Sequence, residues 1–237
     1  MKKIYIRFIK LIGGLFLYSL GILCTINANI GYSPWDIFHV GLANTLNISI
    51  GIATIFTGLA IGILAIILGE KVGIGTLLNM LLIGFFIDLL MKLGIIHKTE
   101  NFFIGILMMI IGLFVIALAT FLYISSGFGA GPRDSLLVAI TKKTNLQIGL
   151  CRGIIEFSAL IIGWKLGGKV GFGTVLSAGA IGLFIQIVFK ILKFDATDIK
   201  HETFNQTYTS VLKNLVKWNC NLFLERSEER RVGKECL

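Results

Sequence analysis

The sequence predicts an all-α polytopic membrane protein made of two inverted repeats, each with three transmembrane helices and one short half-helix. Two observations carry that prediction. The first is apolarity: 55% of residues are hydrophobic, 15% are charged and mean hydropathy is +0.86. Such a chain cannot cover a soluble surface with polar groups, and its apolar stretches of about twenty residues match a hydrocarbon core of roughly 30 Å. The second is duplication: residue n matches residue n+98 without a gap, from 29–93 onto 127–191.

The matched residues are not only apolar ones. Gly31, Pro34, Asp36, Val40, Asn47 and Gly51 return as Gly129, Pro132, Asp134, Val138, Asn145 and Gly149. Leu68-Gly69-Glu70-Lys71-Val72-Gly73-Ile74-Gly75-Thr76 returns as Leu166-Gly167-Gly168-Lys169-Val170-Gly171-Phe172-Gly173-Thr174. Hydrophobic bias can align one apolar helix with another, but it does not place Pro, Asp, Lys, Gly and Thr in register across three helices and two loops. Internal repeats of this kind build many secondary transporters, with the site where the halves meet.

Taken in order, six spans are expected at about 8–27, 50–68, 76–91, 103–125, 148–166 and 174–189. The first half occupies residues 1–98 and the second residues 99–193. No signal-peptide cleavage site follows the basic start, so the first span is read as retained. A short element follows the first span of each half, from Ser33-Pro34-Trp35-Asp36 to Leu46 and from Gly131-Pro132-Arg133-Asp134 to Thr144. Ser33 suits an N-cap, with Pro34 at the first helical position and Asp36 at the third, where it faces unpaired amides. Twelve helical residues reach only about 18 Å, too short to span. These elements read as half-helices, tolerable at membrane depth only where they line a cavity or lie inside protein.

Loop charge sets orientation. Lys2, Lys3, Arg7 and Lys10 precede the first span, Arg133, Lys142 and Lys143 fall in the fourth-to-fifth loop, and Lys190, Lys193 and Lys200 follow the last span. The loop at 29–49 has no Lys or Arg. Both termini are therefore expected in the cytoplasm. An odd number of spans per half inverts the second half relative to the first, so that one Pro-x-Asp loop opens outward and the other inward.

Residues 194–225 read as a cytoplasmic amphipathic tail. Residues 226–237 resemble the translation of a sequencing-library adapter, and no functional argument is placed on them. The formal charge of +9 reflects orientation rather than nucleic-acid binding, since no basic patch interleaves with aromatics. Cys24, Cys151, Cys220 and Cys236 have no metal-ligand spacing, and His39, His97 and His201 are scattered. No catalytic arrangement, cofactor motif or metal site is visible, so an enzyme is not expected. The partners expected are the lipid bilayer and a small solute or ion, with an oligomer left open.

The candidate substrate-binding residues are Gly31, Pro34 and Asp36 with their copies Gly129, Pro132 and Asp134. A helix N-terminus offers free amides and about half a positive charge to anionic groups, while the two acids can hold a cation or a proton. Simple capping by both acids is the competing reading. Arg152 and Glu156, one turn apart within the fifth span, are added because an ion pair at membrane depth faces protein or a cavity. Their first-half partners are Thr54 and Gly58, so this charge belongs to the second half alone. An interhelical structural pair is the alternative. Asp88 is expected to pair with Lys92 near a helix end. Lys71–Thr76 lacks the Gly-Lys-Ser/Thr order of a phosphate loop and reads as a glycine turn with Thr76 capping the next helix.

The Gly-x-x-Pro-x-Asp loop, the short helix, the Asn-x-x-Ile-Gly turn and the Gly-x-Gly-Thr turn together resemble the YczE/YyaS/YitT group of bacterial membrane proteins. The likeness runs from about residue 10 to 193. It implies a multi-pass protein of the bacterial cytoplasmic membrane and says little of activity. The functional expectation is a secondary transporter, against a membrane-embedded accessory or scaffold supporting another enzyme or exporter. A transporter requires a polar cavity lined by Asp36, Asp134 and Glu156; a scaffold has a filled interior.

Overall fold

The computed structural model describes residues 2–70, 72–194 and 209. Nearly all of the expected tail at 194–225, and all of the adapter-like segment at 226–237, lie outside the described residues. Among the described residues eight α-helices follow one another: α1 (Lys2–Asn27), α2 (Pro34–Leu46), α3 (Ile50–Ile67), α4 (Ile74–Leu93), α5 (Phe102–Ser125), α6 (Pro132–Thr144), α7 (Ile148–Lys165) and α8 (Phe172–Ile191). The short elements are helices of 13 residues each, as expected.

Among the described residues, five helices are long and apolar enough to cross a bilayer: α1, α3, α4, α5 and α8. The sequence predicts a sixth span at 148–166, where α7 lies. This helix has 18 residues, but Arg152, Glu156 and Lys165 interrupt its apolar surface and take it out of that set. Large apolar side chains such as Phe56, Phe85, Phe103 and Val175 face outward, the surface a lipid solvent favours. With these long apolar helices, the chain is a multi-pass membrane protein.

Local chemistry explains the helix ends. Ser33 caps α2 in extended conformation, accepting the Asp36 amide, and Pro34 opens the helix. Asn47 and Asn145 end α2 and α6 in the left-handed region, at φ 52° and 55°. The Thr76 hydroxyl accepts the Gly73 amide at 3.3 Å and Thr174 accepts that of Gly171 at 3.1 Å, so the Gly-x-Gly-Thr turns are caps. Asp88 does not pair with Lys92. Its carboxylate accepts the Gly51 amide at 2.8 Å and the Ser49 hydroxyl, and so clasps the N-terminus of α3 to α4.

The centre of the bundle is α1 packed on α5, running antiparallel. Gly14 lies against Tyr123, Gly21 against Gly112 and Ile116, and Gly105 against Ala28, each too close for a side chain. Leu11, Leu15, Met109 and Leu113 are buried there. α4 leans on α1 and α8 on α5, while α2 crosses to α7 and α6 crosses to α3. The crossing is reciprocal. The Gly173 amide donates to the Ile30 carbonyl at 2.8 Å, and the Gly75 amide donates to that of Phe128 at 2.9 Å. Gly31 (φ +113°) abuts Gly171, and Gly129 (φ +134°) abuts Thr76 and Gly73. Both glycines are needed twice over, for positive φ and for that close approach.

Loops gather at two ends. At one, Asn27 and Asn29 bond to the carbonyls of Ile96 and Thr99, and the Tyr32 amide to that of Lys169. At the other, the Arg7 guanidinium donates to the Ser126 carbonyl at 2.7 Å, and Lys142 pairs with Glu70.

One pair of helices breaks the correspondence. In α3 and α4, Gly51 and Gly84 are in backbone contact, and a Cβ on either would collide with the other's carbonyl. Their counterparts in α7 and α8, Gly149 and Gly182, have nothing within 4 Å, and α7 and α8 hardly touch.

Candidate functional site

Two helices begin inside the molecule, each at a proline. Pro34 and Asp36 in α2, and Pro132 in α6, are buried; Asp36 is 3% exposed. Proline fixes the φ of the first helical residue and needs no amide partner, so each start stays sharp without a hydrogen bond at that position. The two starts meet. The Arg133 guanidinium lies over the Trp35 ring, 4.4 Å from its centroid. Arg133 occupies the position 98 residues after Trp35, so this residue touches its own counterpart.

The acids beside them are held in matching ways. Thr25 on α1 donates to Asp36 Oδ2 at 3.4 Å, and Tyr123 on α5 donates to Asp134 Oδ2 at 3.0 Å. Thr25 and Tyr123 are again counterparts. Ser33 adds a shorter bond to Asp36 Oδ2, at 2.6 Å. On α7, Arg152 Nε donates to Glu156 Oε1 at 3.0 Å, the i,i+4 pair expected from the sequence.

These groups surround a cavity in two adjoining lobes. One, of about 130 Å³, is walled by Asn79, Met80 and Ile83 of α4 and by Pro132, Arg133 and Asp134. The other, of about 90 Å³, is walled by Ser177, Ala178 and Ile181 of α8 and by Pro34, Trp35 and Asp36. Each of these named wall residues of one lobe is the counterpart of one named in the other. Tyr18, Ile22, Trp35, Arg133, Arg152 and Glu156 line both. The cavity offers two guanidinium groups, three carboxylates, an amide, an imidazole, two serines, two threonines and two phenols on an aliphatic wall.

Of the candidates named from sequence, Pro34, Asp36, Pro132, Asp134, Arg152 and Glu156 come together here. Gly31 and Gly129 do not. They sit at opposite crossings of the two halves, where their lack of a side chain lets backbones approach. Trp35 and Arg133 lie inside the candidate motifs but have no individual role in the sequence reading, and Tyr18, Tyr123, Asn79 and His39 are not part of it. His39 is 2% exposed, one turn after Trp35, with Nε2 3.5 Å from an Arg133 nitrogen. The signal available was the unlike pair Trp35/Arg133 inside two otherwise matching Pro-x-Asp motifs. Among the described residues, no group of three or more His, Cys, Asp or Glu could hold a metal ion.

Comparison with known proteins places the chain in a family and beside a relative described as a membrane protein. Residues 5–190 match the model of a family described as a family of unknown function, DUF6198. The chain is 34% identical over 187 residues to the uncharacterized membrane protein YczE of Bacillus subtilis, covering 78% of this chain and 86% of that one. It is 33% identical to an uncharacterized protein of Haemophilus influenzae, covering 70% and 75%, and 27% identical to the uncharacterized protein YyaS of Bacillus subtilis, covering 76% and 90%. No solved structure matches.

Proposed function

The chain belongs to the DUF6198 family, and from that premise we propose that it is a secondary transporter of a small solute or ion in the bacterial cytoplasmic membrane. The observation that carries this reading is the polar cavity where the two Pro-x-Asp helix starts meet. A scaffold has no use for five acidic or guanidinium side chains around a cavity in a bundle this apolar, since each raises the cost of burial.

In this reading the halves are inverted repeats. Three features support it: the reciprocal bonds from Gly173 to Ile30 and from Gly75 to Phe128, the antiparallel run of α1 against α5, and the walls of the lobes built from counterpart residues. Reciprocity of this kind is the mark of a two-fold relation. α7 is then the sixth crossing, its Arg152 and Glu156 tolerated because they face the cavity. Both termini lie in the cytoplasm, and Ile96 and Lys143 fall on opposite sides. A cysteine at Ile96 reacts with an impermeant thiol reagent added outside, and one at Lys143 does not.

Transport needs the cavity to open to each side in turn. The closed α3–α4 seam and the parted α7–α8 pair supply two forms of one helical hairpin within a single structure. The test is Ser177→Cys, in a background with the native cysteines replaced by alanine or serine. The transport reading expects labelling by an impermeant methanethiosulfonate from either face of oriented vesicles. Labelling from one face alone, or from neither, returns the protein to the scaffold reading.

A further inference from the structure

Three carboxylates reach the cavity, and each has one oxygen already bonded. Asp36 Oδ2 accepts Ser33 and Thr25, Asp134 Oδ2 accepts Tyr123, and Glu156 Oε1 accepts Arg152. The second oxygen of each has no donor among the described residues. The cations are unequal. Arg152 is committed to Glu156, whereas Arg133 has no carboxylate within 4.0 Å among the described residues and is held only by the Trp35 ring and His39.

Counted as ionised side chains, the lining is two positive and three negative, a net of −1. A simple anion would pair with Arg133 but add a fourth negative group in a poorly solvated space. A simple cation would pair with the free carboxylate oxygens but leave Arg133 desolvated without an anion. A ligand bearing both charges satisfies both demands and leaves the net charge unchanged. Ile22, Ile83 and Met80 leave an aliphatic wall for a short apolar group, and the lobe volumes exclude a large one.

We infer that the cavity binds a small zwitterion of the amino-acid class, its carboxylate on Arg133 and its ammonium on the free oxygens of Asp36, Asp134 or Glu156. The assignment rests on the transport reading of the same site and adds the substrate class. Arg133 is the specificity residue for the carboxylate.

The experiment uses the full chain in nanodiscs, with Trp164 and Trp218 replaced by Phe so that Trp35 alone reports. Glycine, L-alanine and glycine betaine are titrated beside propionate, which has only the anion, and ethylamine, which has only the cation. At least one zwitterion changes Trp35 emission and raises the melting temperature at concentrations where propionate and ethylamine do neither. Arg133→Gln weakens that binding about tenfold or more, as expected for loss of a charge-assisted contact. Arg133→Lys, which keeps the charge, retains part of it and serves where the Gln variant does not fold. Equal binding of propionate or ethylamine overturns the inference, as does unchanged alanine binding in Arg133→Gln. If no zwitterion binds while Ser177→Cys reacts from both faces, the substrate class is wrong and transport stands. If a zwitterion binds while Ser177→Cys reacts from one face only, the site stands and transport fails.

Discussion

The α3–α4 and α7–α8 hairpins have the same helix lengths, 18 and 20 residues, and the same pair of glycines, yet one is shut and the other parted. The seam glycines were duplicated; the clasp was not. Ser49 and Asp88, which hold the start of α3 to α4, stand where the second half has Gln147 and Gln186. A carboxylate that accepts an end-of-helix amide gains from the helix dipole, and a neutral amide at the counterpart position loses that term. Two hairpins able to close in the same way thus differ in how strongly they are held closed. In the proposed transporter the closed seam on the first half is the form that Asp88 favours.

The largest expected effect separates the two seams. Gly51→Val or Gly84→Val places a side chain onto the opposite carbonyl and destabilises the protein by about 3 kcal/mol or more, read as a fall in melting temperature in detergent. Gly149→Val and Gly182→Val have open space and leave the melt nearly unchanged, but they hold α7 off α8, so Ser177→Cys in these variants reacts from one face only. Equal destabilisation by all four would mean that the parted hairpin is closed in the membrane.

A smaller effect is expected at the clasp. Asp88→Ala removes a charged acceptor from the Gly51 amide and the Ser49 hydroxyl and costs about 1–3 kcal/mol in a thermal or denaturant melt. Gln186→Ala, at the counterpart position, stays within about 0.5 kcal/mol. A matching loss at Gln186 would show that the second half carries an equivalent clasp.

The smallest effect on stability is expected at the helix starts. Asp36→Asn and Asp134→Asn keep the shape of the side chain and its hydroxyl partners, and change the melt by about 1 kcal/mol or less. Both nevertheless abolish two-sided labelling of Ser177→Cys. Loss of folding instead would mean that the acids act as caps, the competing account of the same residues.

The sequence made the elements legible because the signals that end helices here are local. Ser33-Pro34 and Gly131-Pro132 mark starts, Asn47 and Asn145 mark stops, and the Gly-x-Gly-Thr turns cap, each to within a residue or two of the observed ends. The meeting of the two Pro-x-Asp starts was also legible, because matching loops of a duplicated membrane chain tend toward its centre. Other features depend on distance through space. Nothing near Asp88 in sequence says that its partner is Gly51 rather than Lys92. Nothing in a seam of identical glycines says which copy is closed. Gly31 and Gly129 looked like site residues because they precede the prolines. Their actual reason lies in the opposite half, at Gly171 and at Thr76.

In the proposed transporter the two hairpins exchange shapes, and this can be measured directly. Phe56 and Phe85 are exposed on α3 and α4, and their counterparts Ile154 and Leu183 are exposed on α7 and α8. Spin labels at either pair, in nanodiscs and without native cysteines, give interhelical distances for the shut and the parted hairpin by pulsed electron resonance. The account predicts two distances for each pair, mostly short for the first and mostly long for the second. Asp88→Ala should move both distributions toward their minor peak. A single distance for each pair, short on α3–α4 and long on α7–α8, unchanged by Asp88→Ala and by saturating L-alanine, would contradict it.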